Sequence, residues 1–229
     1  MKNLNGYPIL LLALSAAMSC HAQPVAQLWS SMQAKLSSNK PLIAYEIDST
    51  FEIPGDSGRE SGKYKEIFTS VPMDDKPRRS ISEKSAHSDT GIKYSELDLG
   101  LTDNFANHPE QLFPIVDSME VEGKEKIDGE MYSIVKLRTH HPKGNFPIAA
   151  SVWISEKDSR PLRVRGIYEK TPIPGMKSLN FSVDYTTDAT GRSLPMEVSI
   201  AYTISIFFHT GEFAFSHRLT DWRTRSTSP

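Results

Sequence analysis

Two histidines stand side by side at His140-His141, and a third, His217, sits inside the apolar row Phe213, Phe215, Leu219. Imidazole is a common metal ligand and carries protons near neutral pH. The adjacent pair is poorly placed for one ion, because neighbouring residues of a strand point to opposite faces. No Cys, His or Asp cluster at ligand spacing accompanies it, so the pair reads as a polar strand end before Pro142-Lys-Gly144, and no metal is expected. His217 reads first as a hydrogen-bonded core residue and second as a group that meets a ligand head group in a cavity. Nucleophilic catalysis needs a nucleophile, a base and an orienting group within hydrogen-bond reach. Serines are plentiful, but the Gly-x-Ser-x-Gly elbow is absent, and so is a Gly-rich phosphate loop. Asp74-Asp75 falls in a turn-like polar segment, where solvation explains the charge. The sequence therefore assigns no catalytic residue and no cofactor. A hydrolase is the remotest reading.

The N-terminus explains where such a chain works. Lys2 is followed by the apolar run Ile9 to Ala17, which is shorter than the roughly 20 residues a membrane span needs. Cys20 and Ala22 then supply small residues at the −3 and −1 positions of a cleavage site. Residues 1–22 read as a secretory signal peptide, and 23–229 as a single periplasmic domain. Cleavage after Ala22 removes Cys20, which is the chain's one cysteine, so neither a disulfide nor thiol chemistry is expected in the mature protein. The alternative is a lipoprotein anchored through Cys20, although Ala17 stands where that signal usually has leucine and Met18 is bulky. The formal net charge is −2, and −3 once Lys2 is removed, which gives no basic excess for nucleic acid. No second long apolar stretch suggests a transmembrane span in the mature chain.

The elements follow from periodicity. Val25, Leu28, Trp29, Met32 and Leu36 recur on one helical face, and Pro24 suits a first turn, so a helix is predicted over 24–37. Beyond it the period becomes two. Ile43, Tyr45, Ile47, Phe51 and Ile53 share one side of a long strand, with Ser49 breaking the row. Strands are expected over 62–71, 78–84, 91–99, 119–127 and 131–139, with turns at 54–58 and 72–77, Asp128-Gly129 a hairpin turn and 107–118 a connector. The segment from Ser151 to Arg165 is a hairpin that turns at Glu156 to Ser159 and restarts at Pro161. Leu179, Phe181, Val183 and Tyr185 alternate with polar neighbours. Val198, Ile200, Tyr202, Ile204, Ile206 and Phe208 form the longest row, and Phe213, Phe215 and His217 return after a turn at 209–212. Strict alternation gives a sheet one buried and one wet face, and short turns make its neighbours antiparallel. A sheet this large must twist and curl. The predicted fold is mainly β with a few helices: a curved antiparallel half-barrel whose concave apolar face is covered by the N-terminal amphipathic helix.

Several segments carry a resemblance: Gly123-Lys-Glu-Lys-Ile-Asp-Gly-Glu-Met-Tyr-Ser-Ile-Val, Val152-Trp-Ile-Ser-Glu-Lys-Asp-Ser-Arg-Pro-Leu-Arg, Asp184-Tyr185, Gly191-Arg-Ser-Leu-Pro195 and Trp222-Arg223. Their order and spacing over residues 24–225 resemble the superfamily of outer-membrane lipoprotein-sorting carriers, the LolA/LolB-like half-barrel. That resemblance implies an apolar cavity that takes acyl chains. The arginine that the true carriers use in their cavity matches no single position here, and the polar 72–90 segment departs from the pattern. The expected function is a non-enzymatic periplasmic carrier holding a lipid or a lipoprotein acyl chain. Its cavity would be lined by Leu28, Trp29 and Met32 of the helix, by Tyr45, Ile47 and Phe51, by Phe181 and Tyr185, by Ile200, Tyr202 and Ile204, and by Phe213, Phe215 and His217. Trp29 and Trp153 either gate it or simply pack. Alternation does not separate a lined cavity from a filled core. In the alternative, a filled half-barrel touches an envelope protein partner through a sheet edge or the 72–90 loop.

Overall fold

The helical period at the N-terminus forms one helix, α1 (25–37), and the two-residue period that follows builds one sheet of ten antiparallel strands. The computed structural model describes residues 25–39, 42–55, 58–70, 78–85, 113, 115–140, 147–171, 175–206 and 209–224. The strands are β1 (Leu42–Gly55), β2 (Gly58–Ser70), β3 (Arg78–Lys84), β4 (Ile115–Ile127), β5 (Glu130–His140), β6 (Pro147–Ser155), β7 (Pro161–Tyr168), β8 (Met176–Thr187), β9 (Ser193–Ile206) and β10 (His209–Thr224). Their spatial order is β3-β2-β1-β10-β9-β8-β7-β6-β5-β4. Strands β4 to β10 run as a meander, and β1 returns beside β10. Among the described residues the sheet does not close, and β3 and β4 are its two edges. The predicted half-barrel class and its covering helix are both present.

Local chemistry sets the turns. Asp128 and Gly129 both have positive φ, 50° and 84°, as a two-residue hairpin turn requires. At the β6–β7 turn the Ser155 amide donates to the Arg160 carbonyl and the Ser159 amide donates to the Ser155 carbonyl, at 2.8 and 2.9 Å. Pro161 opens β7 as expected, where its missing amide costs no ladder bond. Between β8 and β9 the Asp188 carboxylate accepts from the Thr190 hydroxyl and amide and from the Arg192 amide and guanidinium, all within 2.9 Å. These donors, with the Thr190 hydroxyl foremost, hold Asp188 well below the usual carboxylate range.

Three of the boundaries that differ from the sequence reading have a plain cause. The expected turn at 209–212 is strand, because His209 already pairs with Ile206 and only two residues separate β9 from β10. Strand β4 begins at Ile115 rather than Met119, since Ile115 pairs with His140 and bulges beyond Val116 and Val121 absorb the poor alternation. Strand β1 continues through Pro54 to Gly55, where pairing with Arg59 and Gly58 overrides the local turn signal. The expected strand at 91–99, the 72–77 turn, Asp74-Asp75, His141, Phe208 and residues 1–22 lie outside the described residues.

Register sorts the side chains into two faces. The apolar face carries a valine ladder, Val198, Val183, Val164, Val152 and Val135, that steps from β9 to β5. Beside it runs Phe51, Phe215, Ile200 and Phe181. Helix α1 buries Val25, Trp29, Met32 and Leu36, and Trp29 meets Phe113 edge-to-face at 5.6 Å. Asn39 Nδ2 ties the end of the helix to the Ser193 carbonyl at 2.5 Å.

Candidate functional site

The side chains expected to line an apolar cavity are mostly packed against one another. Trp29, Met32, Ile47, Phe51, Phe181, Tyr185, Ile200, Tyr202, Phe213 and Phe215 all belong to one buried cluster, and Leu28 and Ile204 pack on its margin. Tyr202 stacks on Phe213 at 5.0 Å, and Phe51 meets Phe215 at 6.4 Å. Tyr45 stands apart from the cluster and is half-buried, with the Arg223 guanidinium 3.8 Å above its ring. Beneath α1 the described residues enclose a void of only about 10 Å³, between Trp29, Met32, Leu36, Phe113, Val164 and Tyr185. That is room for one water at most. Among the described residues the expected lining side chains thus pack into one cluster with the helix. Trp153 does not gate this side either. It lies on the opposite face, where its Nε1 donates to Glu125 at 2.7 Å and Arg165 stacks at 5.8 Å.

Tyr185 shows what the packing costs a polar group. Its hydroxyl is buried without a hydrogen-bond partner, and burial pushes the phenol above its ordinary value. Because the folded-state pKa is raised, the unfolded chain ionises first. The associated stability is intact below about pH 10 and is lost as pH rises beyond it. Tyr185→Phe is expected to leave neutral-pH stability unchanged or raise it by about 1 kcal/mol. The variant should also flatten the alkaline arm of the melting-temperature profile, which thermal melts across pH 7–11 would read.

Two anomalies of the sequence explain each other. Ser49, which breaks the apolar row of β1, is the cross-strand partner of His217, which interrupts that of β10. Ser49 Oγ and His217 Nδ1 lie 2.8 Å apart, with the residues 1% and 0% exposed. A serine hydrogen-bonded to a histidine has the geometry of a nucleophile and its base. This one is buried in the core, where the contact satisfies Ser49 Oγ and His217 Nδ1 together rather than meeting a substrate. His140, the other imidazole described, bonds Asp117 at 2.9 Å on the surface. Among the described residues no three His, Cys, Asp or Glu side chains group as metal ligands.

The large open volume lies on the other face. A trough of about 1180 Å³ crosses the strands from Ser61 and Lys63 of β2 to Lys136 of β5. The strands at its two ends are seven places apart in the sheet, and both border the one open volume on the polar face.

Two transverse rows form the trough floor. In the first, pairing runs Lys63–Thr50–Ser216–Ser199–Ser182–Arg165–Ser151–Lys136, so every position is a hydroxyl or a cation. In the second it runs Ser61–Glu52–Ala214–Ala201–Asn180–Ile167–Ala149, mostly small and apolar at its centre. A further row on the far side of the first, Lys65–Asp48–Arg218–Glu197–Asp184–Arg163, is charged at every position, with Glu197 and Asp184 as neighbouring carboxylates. Part of it lines a second hollow of about 580 Å³ that shares Thr50, Lys63, Ser85 and Ser216 with the trough. Within the hydroxyl row Ser199 donates to Ser216 at 3.4 Å, and Ser216 donates to Glu197 at 2.7 Å. Lys136 pairs loosely with Glu122 at 3.7 Å. Among the described residues no carboxylate reaches ion-pair distance of the Lys63 or Arg165 side chain. None of these floor residues stood out in the sequence reading. The alternation showed that they face solvent, but only the register joins them into rows.

No family model matches the chain, and no curated protein matches it. Among solved structures it is similar to a LolA superfamily protein from Nitrosomonas europaea, at 11% identity and a TM-score of 0.37, over 87% of this chain and 94% of that one. It is similar to a domain ascribed to outer-membrane lipoprotein sorting from Vibrio parahaemolyticus, at 10% identity and a TM-score of 0.42, over 89% of this chain and 93% of that one. A third is the lipoprotein LppX of Mycobacterium tuberculosis, at 12% identity and a TM-score of 0.30, over 89% of this chain and 98% of that one. Likeness at this level assigns neither ligand nor activity to this chain.

Proposed function

We propose that this chain is a non-catalytic binding protein whose ligand occupies the trough on the polar face of the sheet. One observation carries the reading: about 1180 Å³ is open on that face, while the void that the described residues enclose beneath the helix holds about 10 Å³. Ligand sites are commonly clefts of about 300–1,000 Å³, so the trough is large enough and the void is not. The packed cluster then acts as the support that fixes the curvature. Burial of the Ser49–His217 pair favours binding over hydrolysis. Release from the membrane after Ala22, or anchoring through Cys20, would place the chain in the cell envelope; N-terminal sequencing of the exported protein separates the two.

A filled apolar side also suits the reading in which the chain works by contacting an envelope protein. The trough would then seat that partner. Native mass spectrometry of the protein and of its Ala201→Trp variant, each purified from expressing cells, tests the main reading. Ala201 is exposed on the trough floor, so tryptophan should fill the site and leave the melting temperature within a few degrees of wild type. A small co-purifying ligand that is lost in the variant is the expected result. A bound polypeptide lost in the same way would favour the partner reading, and a ligand retained by both would move the site elsewhere.

A further inference from the structure

We propose that the trough takes an acidic, hydroxyl-rich polysaccharide lying across the strands. The inference rests on the trough being the binding site and names the chemistry of its ligand. The hydroxyl row presents one polar group per strand, at a spacing of about 4.8 Å. A sugar ring and its linkage advance by close to that distance, so a glycan laid along the row can meet a serine or threonine at each step. Hydroxyls both donate and accept, which matches the hydroxyls of a sugar.

Charge selects an acidic chain. Lys63, Arg165 and Lys136 all project from this row, and the row holds no carboxylate. Arg165 makes only a stacking contact with Trp153 among the described residues, so its planar fork is available to a carboxylate. The neighbouring row supplies Ala214, Ala201, Ala149 and Ile167, against which the C–H faces of the rings can rest. An acyl chain fits the floor less well, because it would cover the hydroxyls of Thr50, Ser151, Ser182 and Ser199 without offering them partners.

The test is binding of the mature protein to fluorescently labelled polygalacturonate, measured by anisotropy beside neutral dextran, polyglutamate and phosphatidylglycerol vesicles. Polygalacturonate is expected to bind, to weaken with added salt, and to weaken about tenfold in Arg165→Gln, the size of one lost charge-assisted hydrogen bond. Dextran and polyglutamate should bind at least tenfold more weakly than polygalacturonate. Ala201→Trp and Ala214→Trp, each checked for a wild-type melt, should abolish binding. Failure of polygalacturonate to bind, or binding of polyglutamate with equal affinity, overturns the glycan inference. If vesicles bind instead and the filling variants abolish that binding, the trough reading stands and the glycan inference alone falls. Polygalacturonate binding that the filling variants leave intact overturns both.

Discussion

Phe181→Ala is expected to destabilise the protein by about 3–5 kcal/mol in urea unfolding, the largest loss from any single truncation discussed here. Phe181 is 4% exposed, and it pairs across the strands with Gly166 and Ile200. Its ring lies over Gly166 so closely that a Cβ there would stand 2.2 Å from Phe181 Cζ. On its other side it meets Tyr168 edge-on at 6.2 Å. Glycine thus makes room for the aromatic ring on the facing strand. Gly166→Ala should cost about 1–3 kcal/mol through overpacking. Gly166→Ala combined with Phe181→Leu should cost less than the two single changes added together, since the smaller side chain admits the new methyl group. The Phe181 ring sits on the packed face, so the folded fraction of Phe181→Ala should keep its trough ligand. Loss of the ligand at full folding would place binding on the apolar side instead.

Ser49→Ala carries the second large effect. It deletes one hydroxyl and leaves His217 Nδ1 in the core without the partner 2.8 Å away, which is expected to cost about 1–3 kcal/mol. An exposed serine such as Ser61 should change by less than about 0.5 kcal/mol on the same substitution. A double-mutant cycle with His217→Leu should return a coupling of about 0.5–3 kcal/mol, because the two residues share one hydrogen bond. Additive losses would show that the contact contributes nothing. Neither variant touches the floor of the trough, so neither should change ligand affinity once folded.

The alternation made most of the fold legible. Val25, Trp29, Met32 and Leu36 announce the helix, and the long row from Val198 to Ile204 announces a central strand with one buried face. Asp128-Gly129 marks its hairpin outright, because both residues tolerate positive φ. Boundaries were lost where pairing overrode local preference, as at Pro54-Gly55, or where bulges blurred the period, as in β4. The trough was not legible. Ser151, Ser182, Ser199 and Ser216 each look like ordinary polar neighbours along the chain. Only the register brings them into one row with Thr50 and Arg165. His217 was legible as a satisfied core residue, but its partner was not, because Ser49 lies 168 residues away.

The most direct test of the account is site-specific photo-crosslinking in cells that make and export the protein. A benzophenone amino acid is placed either at Ser61, exposed at the β2 end of the trough, or at Gln33, which borders the small void under α1. The account predicts a discrete ligand adduct from position 61 and none from position 33. An adduct from position 33 with none from 61 would contradict it, and would return the ligand to the apolar side beneath the helix.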